Sequence, residues 1–382
     1  GSGLSGSFLD NIDTDWNAGT FFRMGVDGTG GAANLTGNTS GFYGSQIFDA
    51  TAAVNWTNIT IITEVPYGIE IGRAKDDSNS VSVEKANEFG YINTSGLILL
   101  MHFNNESTLG ENATGGSADI IRDFSPDVNA ERSGSTRNNG TTKNGATINK
   151  TNYKFGGGAG EFDGVNDYVG ISYSSSLNLI GKNFTLSLWV YPKSQTLGVI
   201  VDKPFTTTHA TPYFDWALAY NAGGDGKPST WVGCNGGHRY ANTALKINAW
   251  NYVVSTYDGS NIRFYLNGVA DGSFAETCSV TNTNSQDSRI GANRAGGENF
   301  PGKTEELAIF NRSLSANEIL NLYKRGAYRL NLSARACDDS ACAGETYTNI
   351  QPNNITAGFA IPLNLSTTLA ISLFKSLLKD LQ

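Results

Sequence analysis

Two groupings of side chains in this chain could do chemistry: carboxylates at strand spacing, and an aromatic cluster with basic and polar neighbours. Two carboxyl groups about 5–5.5 Å apart can cleave a glycosidic bond with retention, one as nucleophile and one as acid/base. On a β-strand Glu-x-Asp-x-Glu would deliver such a pair, because side chains two apart share a face. A longer spacing would serve if a bulge absorbed the extra residue. Glu161-Phe162-Asp163 opens this pattern, but Val165 and Asn166 stand where the second glutamate would be. Glu305 and Glu306 are adjacent, so on a regular strand they are expected to face opposite ways. His102, His209 and His238 are scattered without metal-ligand spacing, and His102 lies in an apolar run that suits a core histidine. No Gly-x-Ser-x-Gly elbow is present. The residues predict no catalytic centre.

The second grouping lies in the Gly- and Asn-rich stretch 221–243, which reads as loop and carries Trp231, His238, Arg239 and Tyr240. Aromatic faces stack on the C–H surfaces of sugars, while arginine and amide groups hydrogen-bond hydroxyls, so these four are the candidate ligand-binding residues. Trp231 and Tyr240 would equally suit a sandwich core.

Composition narrows the setting. A net charge of −8 argues against nucleic acid or an anionic membrane as partner. Charged residues make up 16%, low against the ~25% of typical globular domains, and Asn, Ser, Thr and Gly take their place. Fourteen Asn-x-Ser/Thr sequons occur, at Asn34, Asn38, Asn55, Asn58, Asn93, Asn105, Asn112, Asn139, Asn149, Asn183, Asn311, Asn331, Asn354 and Asn364. Chance in so Asn- and Thr-rich a chain would give roughly half that number, so a secreted, densely N-glycosylated protein is expected. The four cysteines agree with an oxidising compartment. Cys337 and Cys342 are close enough for a tight turn to join them, which would leave Cys234 and Cys278 to pair, although other pairings remain formally open. A metal site built from all four lacks any Cys-x-x-Cys half. No uninterrupted apolar run reaches ~18 residues, and the Gly/Ser-rich opening carries no leader pattern, so either a processed chain or a mature fragment, without a membrane span, is expected.

Strands must position these groups. Phe184, Leu186, Leu188 and Val190 alternate with Thr185, Ser187, Trp189 and Tyr191, which predicts a core face and an outer face. Asn267-Gly268 between apolar runs predicts a type I′ hairpin. Ser315 with Glu318 three residues on is a capping box for a helix over 315–323. Residues 1–40 read as a flexible segment. Residues 41–92 and 327–350 read as two parts of one small β-sandwich, with a larger module, 95–326, inserted between them. Over 351–382, period-2 apolar residues from Phe359 to Leu373 predict a strand of about fifteen residues, long against the ~5–6 usual for strands. Pro362 would then sit at an edge or bulge, and Phe374, Leu377, Leu378 and Leu381 have helical spacing. Such a strand needs a partner, either in its own sandwich or in a neighbouring subunit's sheet.

Five segments, LILLMHFNNES (97–107), FGGGAGEFDGVNDYVGIS (155–172), FTLSLWVYP (184–192), AWNYVVSTYDGSNIRFYLNGV (249–269) and GKTEELAIFNRSLSANEILNLY (302–323), together resemble the laminin-G-like, or concanavalin-A-like, jelly roll. The flanks more weakly resemble segments beside such modules in archaeal and bacterial surface proteins. The resemblance implies an all-β fold, a two-sheet jelly roll beside a smaller β-sandwich. It also implies a structural Ca²⁺ at the sandwich edge, for which Asp163 and Glu305 are the matching positions; the family usually has Asp at the second. The expected function is an extracellular, non-enzymatic adhesion module binding glycans or cell-surface proteins. A structural subunit assembling into a filament or surface layer by terminal strand exchange is the alternative, and a glycoside hydrolase the outsider.

Overall fold

The computed structural model describes residues 70–71 and 93–327, except 108–109, 113–118, 126–137, 209, 234–236, 279–283 and 296, together with residues 344 and 346 and the backbone of strands in the two flanks. In the first flank these strands are β1 (Thr20–Phe22), β2 (Gly25–Val26), β3 (Ala33–Asn34), β4 (Ser40–Gly44) and β5 (Phe48–Ile61). Next come β6 (Leu97–Met101), β7 (Ile120–Ile121), β8 (Gly140–Lys143), β9 (Thr147–Asn149), β10 (Ala159–Asp163), β11 (Tyr168–Ile171), β12 (Phe184–Pro192) and β13 (Gly198–Pro204). They are followed by β14 (Phe214–Tyr220), β15 (Pro228–Val232), β16 (His238–Tyr240), β17 (Asn251–Tyr257), β18 (Asn261–Leu266), β19 (Val269–Ala275), β20 (Ser288–Ile290) and β21 (Pro301–Phe310). Helix α1 (Ala316–Ala327) and strands β22 (Tyr328–Cys337), β23 (Thr348–Asn349) and β24 (Phe359–Lys379) complete the order.

Residues 70–323 form one compact unit of two antiparallel sheets. One runs β19-β18-β17-β12-β21-β10-β9, with β6 also on β21; the other runs β16-β15-β14-β13-β20-β11-β8-β7. Between them lies a continuous core, with Leu186, Leu188, Val253, Phe264, Leu307 and Ile309 from the first sheet against Val169, Ile171, Trp216, Leu218, Tyr220 and Ile290 from the second. Full burial of each such side chain stabilises the fold by about 1.5–3 kcal/mol. The all-β two-sheet jelly roll expected from the sequence is the fold observed.

The outer face of β12 departs from simple alternation, because Thr185, Ser187 and Trp189 are buried as well. Trp189 stacks on Tyr323 of α1 at 5.8 Å and lies tilted against Tyr252 at 5.2 Å, so a helix and a neighbouring strand cover what a bare sheet would expose to water. The helix starts where its capping box predicts: Ser315 N–H donates to Glu318 Oε2 at 2.8 Å, and Glu318 N–H to Ser315 Oγ at 3.3 Å. It runs to Ala327, one turn beyond the expected end. Asn267 and Gly268, at φ 50° and 78°, make the tight β18–β19 hairpin.

Residues 1–69 and 324–381 form a second compact unit. Its sheet runs β1-β4-β24-β22-β23, with β5 also on β24, and β2 pairs β3 separately. The long C-terminal strand therefore pairs within its own chain, with β22 from Tyr328↔Lys379 to Cys337↔Ala370. It continues to Lys379, so the helical spacing of Phe374, Leu377 and Leu378 does not yield a helix; ladder pairing with β22 and β4 overrides it. Pro362 falls at a register shift against β5, as a residue without an amide proton requires.

Candidate functional site

The stretch 221–243 is not a loop throughout, since it contains β15 and β16, the latter the edge strand of its sheet. Trp231 pairs with His238 and Ser229 with Tyr240, so on the period-2 pleat these side chains share the face turned away from the main core. Tyr213, Trp231, His238 and Tyr240 form a row. Tyr213 and Trp231 meet edge-on at 5.6 Å, Trp231 and His238 at 5.1 Å, and His238 and Tyr240 lie 6.0 Å apart. Trp231 is 7% exposed and packs with Val199, Phe214, Ala217 and Ala219, while the other three rings are half-buried. The row thus has a buried foundation and partly open rings at a sheet edge.

Arg239 is not part of it. It pairs with Thr230, one position off the register of the row, and its guanidinium is held by buried Glu276 at 2.6 Å. A one-residue step along a strand reverses the face, which the sequence grouping of Trp231, His238, Arg239 and Tyr240 overlooked. Tyr213 and Ser229 are the members it missed. Tyr213 follows the cis Thr211–Pro212 bond at φ 66°, and only a Thr-Pro turn signal marks the place in sequence. Ser229 Oγ lies 3.0 Å from His238 Nδ1. Burial pushes the His238 pKa down to about 4, so at neutral pH the ring is an uncharged donor–acceptor.

The carboxylates are placed elsewhere. Glu161 accepts from Asn149 Nδ2 at 2.8 Å and from Lys193 Nζ at 2.5 Å. Asp163 caps its own turn, accepting from the Val165 and Asn166 amides at 2.7 and 3.4 Å. Glu305 is fully buried, each oxygen accepting one amide, from Lys154 and Phe155, both at 2.6 Å. Burial holds its pKa well above the ordinary carboxylate range, despite those two bonds. Asp163 pairs with Pro301, four strand positions from Glu305, which at ~3.3 Å per residue separates the two by roughly 13 Å. The structure therefore does not bring Asp163 and Glu305 together.

Glu305 and Glu306 do not face opposite ways as a regular strand would require. Ser187 pairs with Ala308 and Trp189 with Glu305, so Glu306 and Leu307 oppose Leu188 alone in a β-bulge, with Glu306 at φ 51°. The charge of Glu306 consequently acts on Glu305. Two further buried acids escaped the sequence analysis, Asp202 and Asp215. Burial raises Asp202 well above its ordinary value against the opposing pull of Arg289, and raises Asp215 to about 6 against that of Lys203. His102 is fully buried with its Nδ1 against Glu306 Oε1, and His209 lies outside the described residues.

Among the sequons, Asn93, Asn112, Asn183 and Asn311 are exposed, and Asn105, Asn139 and Asn149 are half-buried. Asn34, Asn55, Asn58, Asn331 and Asn364 lie on strands described by backbone alone, and Asn38 and Asn354 lie outside the described residues. Cys278 is disulfide-bonded. Cys234 and Cys342 lie outside the described residues, and only the backbone of Cys337 is described.

Comparison with known proteins agrees with this architecture. Residues 163–320 match the family model Laminin_G_3, the Concanavalin A-like lectin/glucanases superfamily, so this stretch is similar to laminin-G-like modules. Adhesion G-protein coupled receptor V1 of Danio rerio is 28% identical over 155 residues, which is 38% of this chain but only 2% of the receptor's length. Among solved structures, domain 4 of AbnA, a GH43 extracellular arabinanase from Geobacillus stearothermophilus in complex with arabinotriose, is similar at TM-score 0.43 and 18% identity, covering 60% of this chain and 98% of that domain. The binding domain of botulinum neurotoxin DC in complex with SialylT gives 0.43 and 13%, over 68% of this chain and 63% of that one. Trypanosoma rangeli sialidase in complex with the inhibitor DANA gives 0.41 and 12%, over 61% and 33%. No helix among the described residues is long and apolar enough to cross a membrane.

Proposed function

We propose that the jelly roll is a glycan-binding module and that its site is the Tyr213–Trp231–His238–Tyr240 row. The supporting observation is a set of aromatic rings at an open sheet edge, braced from below by buried Trp231 and accompanied by the Ser229–His238 polar pair. Half-buried rings can stack on sugar faces without having to be ordered first, and a neutral imidazole can exchange hydrogen bonds with hydroxyls. The chain is then a non-enzymatic part of a secreted, N-glycosylated surface protein with a role in adhesion. Against a hydrolase stands the engagement of Glu161 with Lys193 and Asn149. The in-chain pairing of β24 favours the binding module over a subunit built by strand exchange. A structural calcium ion, if the module takes one, would use Asp163 or Glu305 with backbone carbonyls, not both acids.

An oligosaccharide array followed by calorimetric titration of the intact protein tests the reading. Tyr240→Ala and His238→Ala are expected to weaken binding about tenfold, a loss of ~1.4 kcal/mol, with unchanged thermal unfolding. Equal binding by wild type and both variants would move the site elsewhere, and no binding to any glycan would sink the glycan reading.

A further inference from the structure

The jelly roll also holds a buried cluster of metal-ligating groups that the proposed glycan site does not use. Its members come from three distant parts of the sequence: Glu70, His102 just after β6, and Glu306 in the β21 bulge. One ligand atom from each lies within 4.8 Å of the other two. Glu306 is oriented by Ile71 N–H, which donates to its Oε2 at 2.8 Å, while its Oε1 meets His102 Nδ1. The left-handed backbone of Glu306 (φ 51°) is a conformation side chains seldom adopt, and here it turns a carboxylate out of the strand's alternation and onto the histidine.

A second observation points to the same place. Asn104 donates from Nδ2 to Glu70 Oε1 at 2.5 Å, yet its Oδ1 is buried with no hydrogen-bond partner, in a residue only 7% exposed. A buried amide oxygen left without a donor costs about 1–3 kcal/mol unless something satisfies it. That oxygen lies beside Glu70. A side chain at Gly156 would place its Cβ 1.9 Å from Glu70 Oε1 and 2.2 Å from Asn104 Oδ1, so both oxygens fill a space only glycine leaves there.

We propose that Glu70, His102 and Glu306, with Asn104 Oδ1 as fourth donor, bind one divalent transition ion, Zn²⁺ by ligand type. One imidazole nitrogen and three oxygens match the four-coordinate preference of Zn²⁺. Ca²⁺ prefers six to eight oxygens and is poorly served by imidazole. The ion would cross-link residues 70, 102 and 306, fastening the entry of the module to the β6–β21 pair. Its role is structural, and it differs in both ligands and metal from the calcium expected at Asp163 and Glu305.

The test uses the full chain, stripped by chelator and titrated with Zn²⁺ alone and with Ca²⁺ alone, read by calorimetry and thermal unfolding. One Zn²⁺ per chain and a rise in Tm are expected, with no comparable response to Ca²⁺. Glu70→Gln is the principal variant, because Glu70 is half-buried and folding should survive its loss; Asn104→Ala is the second. Both should fold, by circular dichroism, and bind Zn²⁺ at least tenfold more weakly. A folded wild-type chain that takes up no Zn²⁺, an equal response to Ca²⁺, or undiminished Zn²⁺ binding by both variants would each overturn the proposal. Loss of Zn²⁺ binding with glycan affinity intact would separate this site from the aromatic row.

Discussion

At the scale of single residues, burial decides charge more than sequence neighbours do. His238 would titrate near 6.5 in an unfolded chain and does so at about 4 in the fold, because its ring is desolvated. Between those values the unfolded chain takes up a proton that the folded chain refuses. Stability therefore falls as pH drops from about 6.5 toward 4, and glycan affinity should stay level from pH 8 to about 5. NMR titration of the imidazole checks the first statement and calorimetry across that range the second. Asp202 works in the opposite sense. Its pKa is raised by complete burial, so above 3.8 the unfolded chain loses a proton that the folded chain keeps, and stability falls as pH rises through the window up to the raised value. Asp202→Asn should remove that fall. Its Tm should exceed the wild-type value at pH 7 and converge with it near pH 4.

At the scale of elements, local rules that ask for one residue type at one place are obeyed. The Ser315–Glu318 capping box forms as two reciprocal bonds, and Ser315→Ala should cost about 1 kcal/mol in urea unfolding. Leu188, fully buried between the sheets, should cost about 2–5 kcal/mol on replacement by Ala. Rules that assume regular alternation hold less well. A bulge turns Glu306 onto His102, and a helix buries the outer face of β12, neither of which leaves a mark in local sequence. In the C-terminal strand the final apolar residues read as a helix in isolation, yet ladder pairs on both sides hold them extended to Lys379.

For the molecule as a whole, low charge and dense sequons describe a surface that would be hydrated by glycans rather than by ions. If the chain is glycosylated as proposed, glycopeptide mass spectrometry should find Asn93, Asn112, Asn183 and Asn311 occupied, since all four are exposed. Asn149 should be occupied less, because its amide bonds Glu161 and its Oδ1 accepts from the Thr151 and Asn152 backbone. None of the four exposed sites belongs to the β13–β16 strands that carry the aromatic row, so glycans there would leave the proposed face open.

What the sequence determined by itself was whatever depends on spacing along one segment: the jelly-roll strands, the Asn267-Gly268 hairpin, the capped helix and the period-2 run of the C-terminal strand. It also showed that Trp231, His238 and Tyr240 come from one stretch, though not that Arg239 turns away. The tertiary structure alone decided which distant residues meet. Tyr213 joins the row from another strand's entrance, and Glu70 and Glu306, far apart in the chain, converge on His102. The reason is physical. Periodicity fixes the face of a residue within its own strand, whereas register, bulges and the order of strands across a sheet are set by packing between segments that share no local signal.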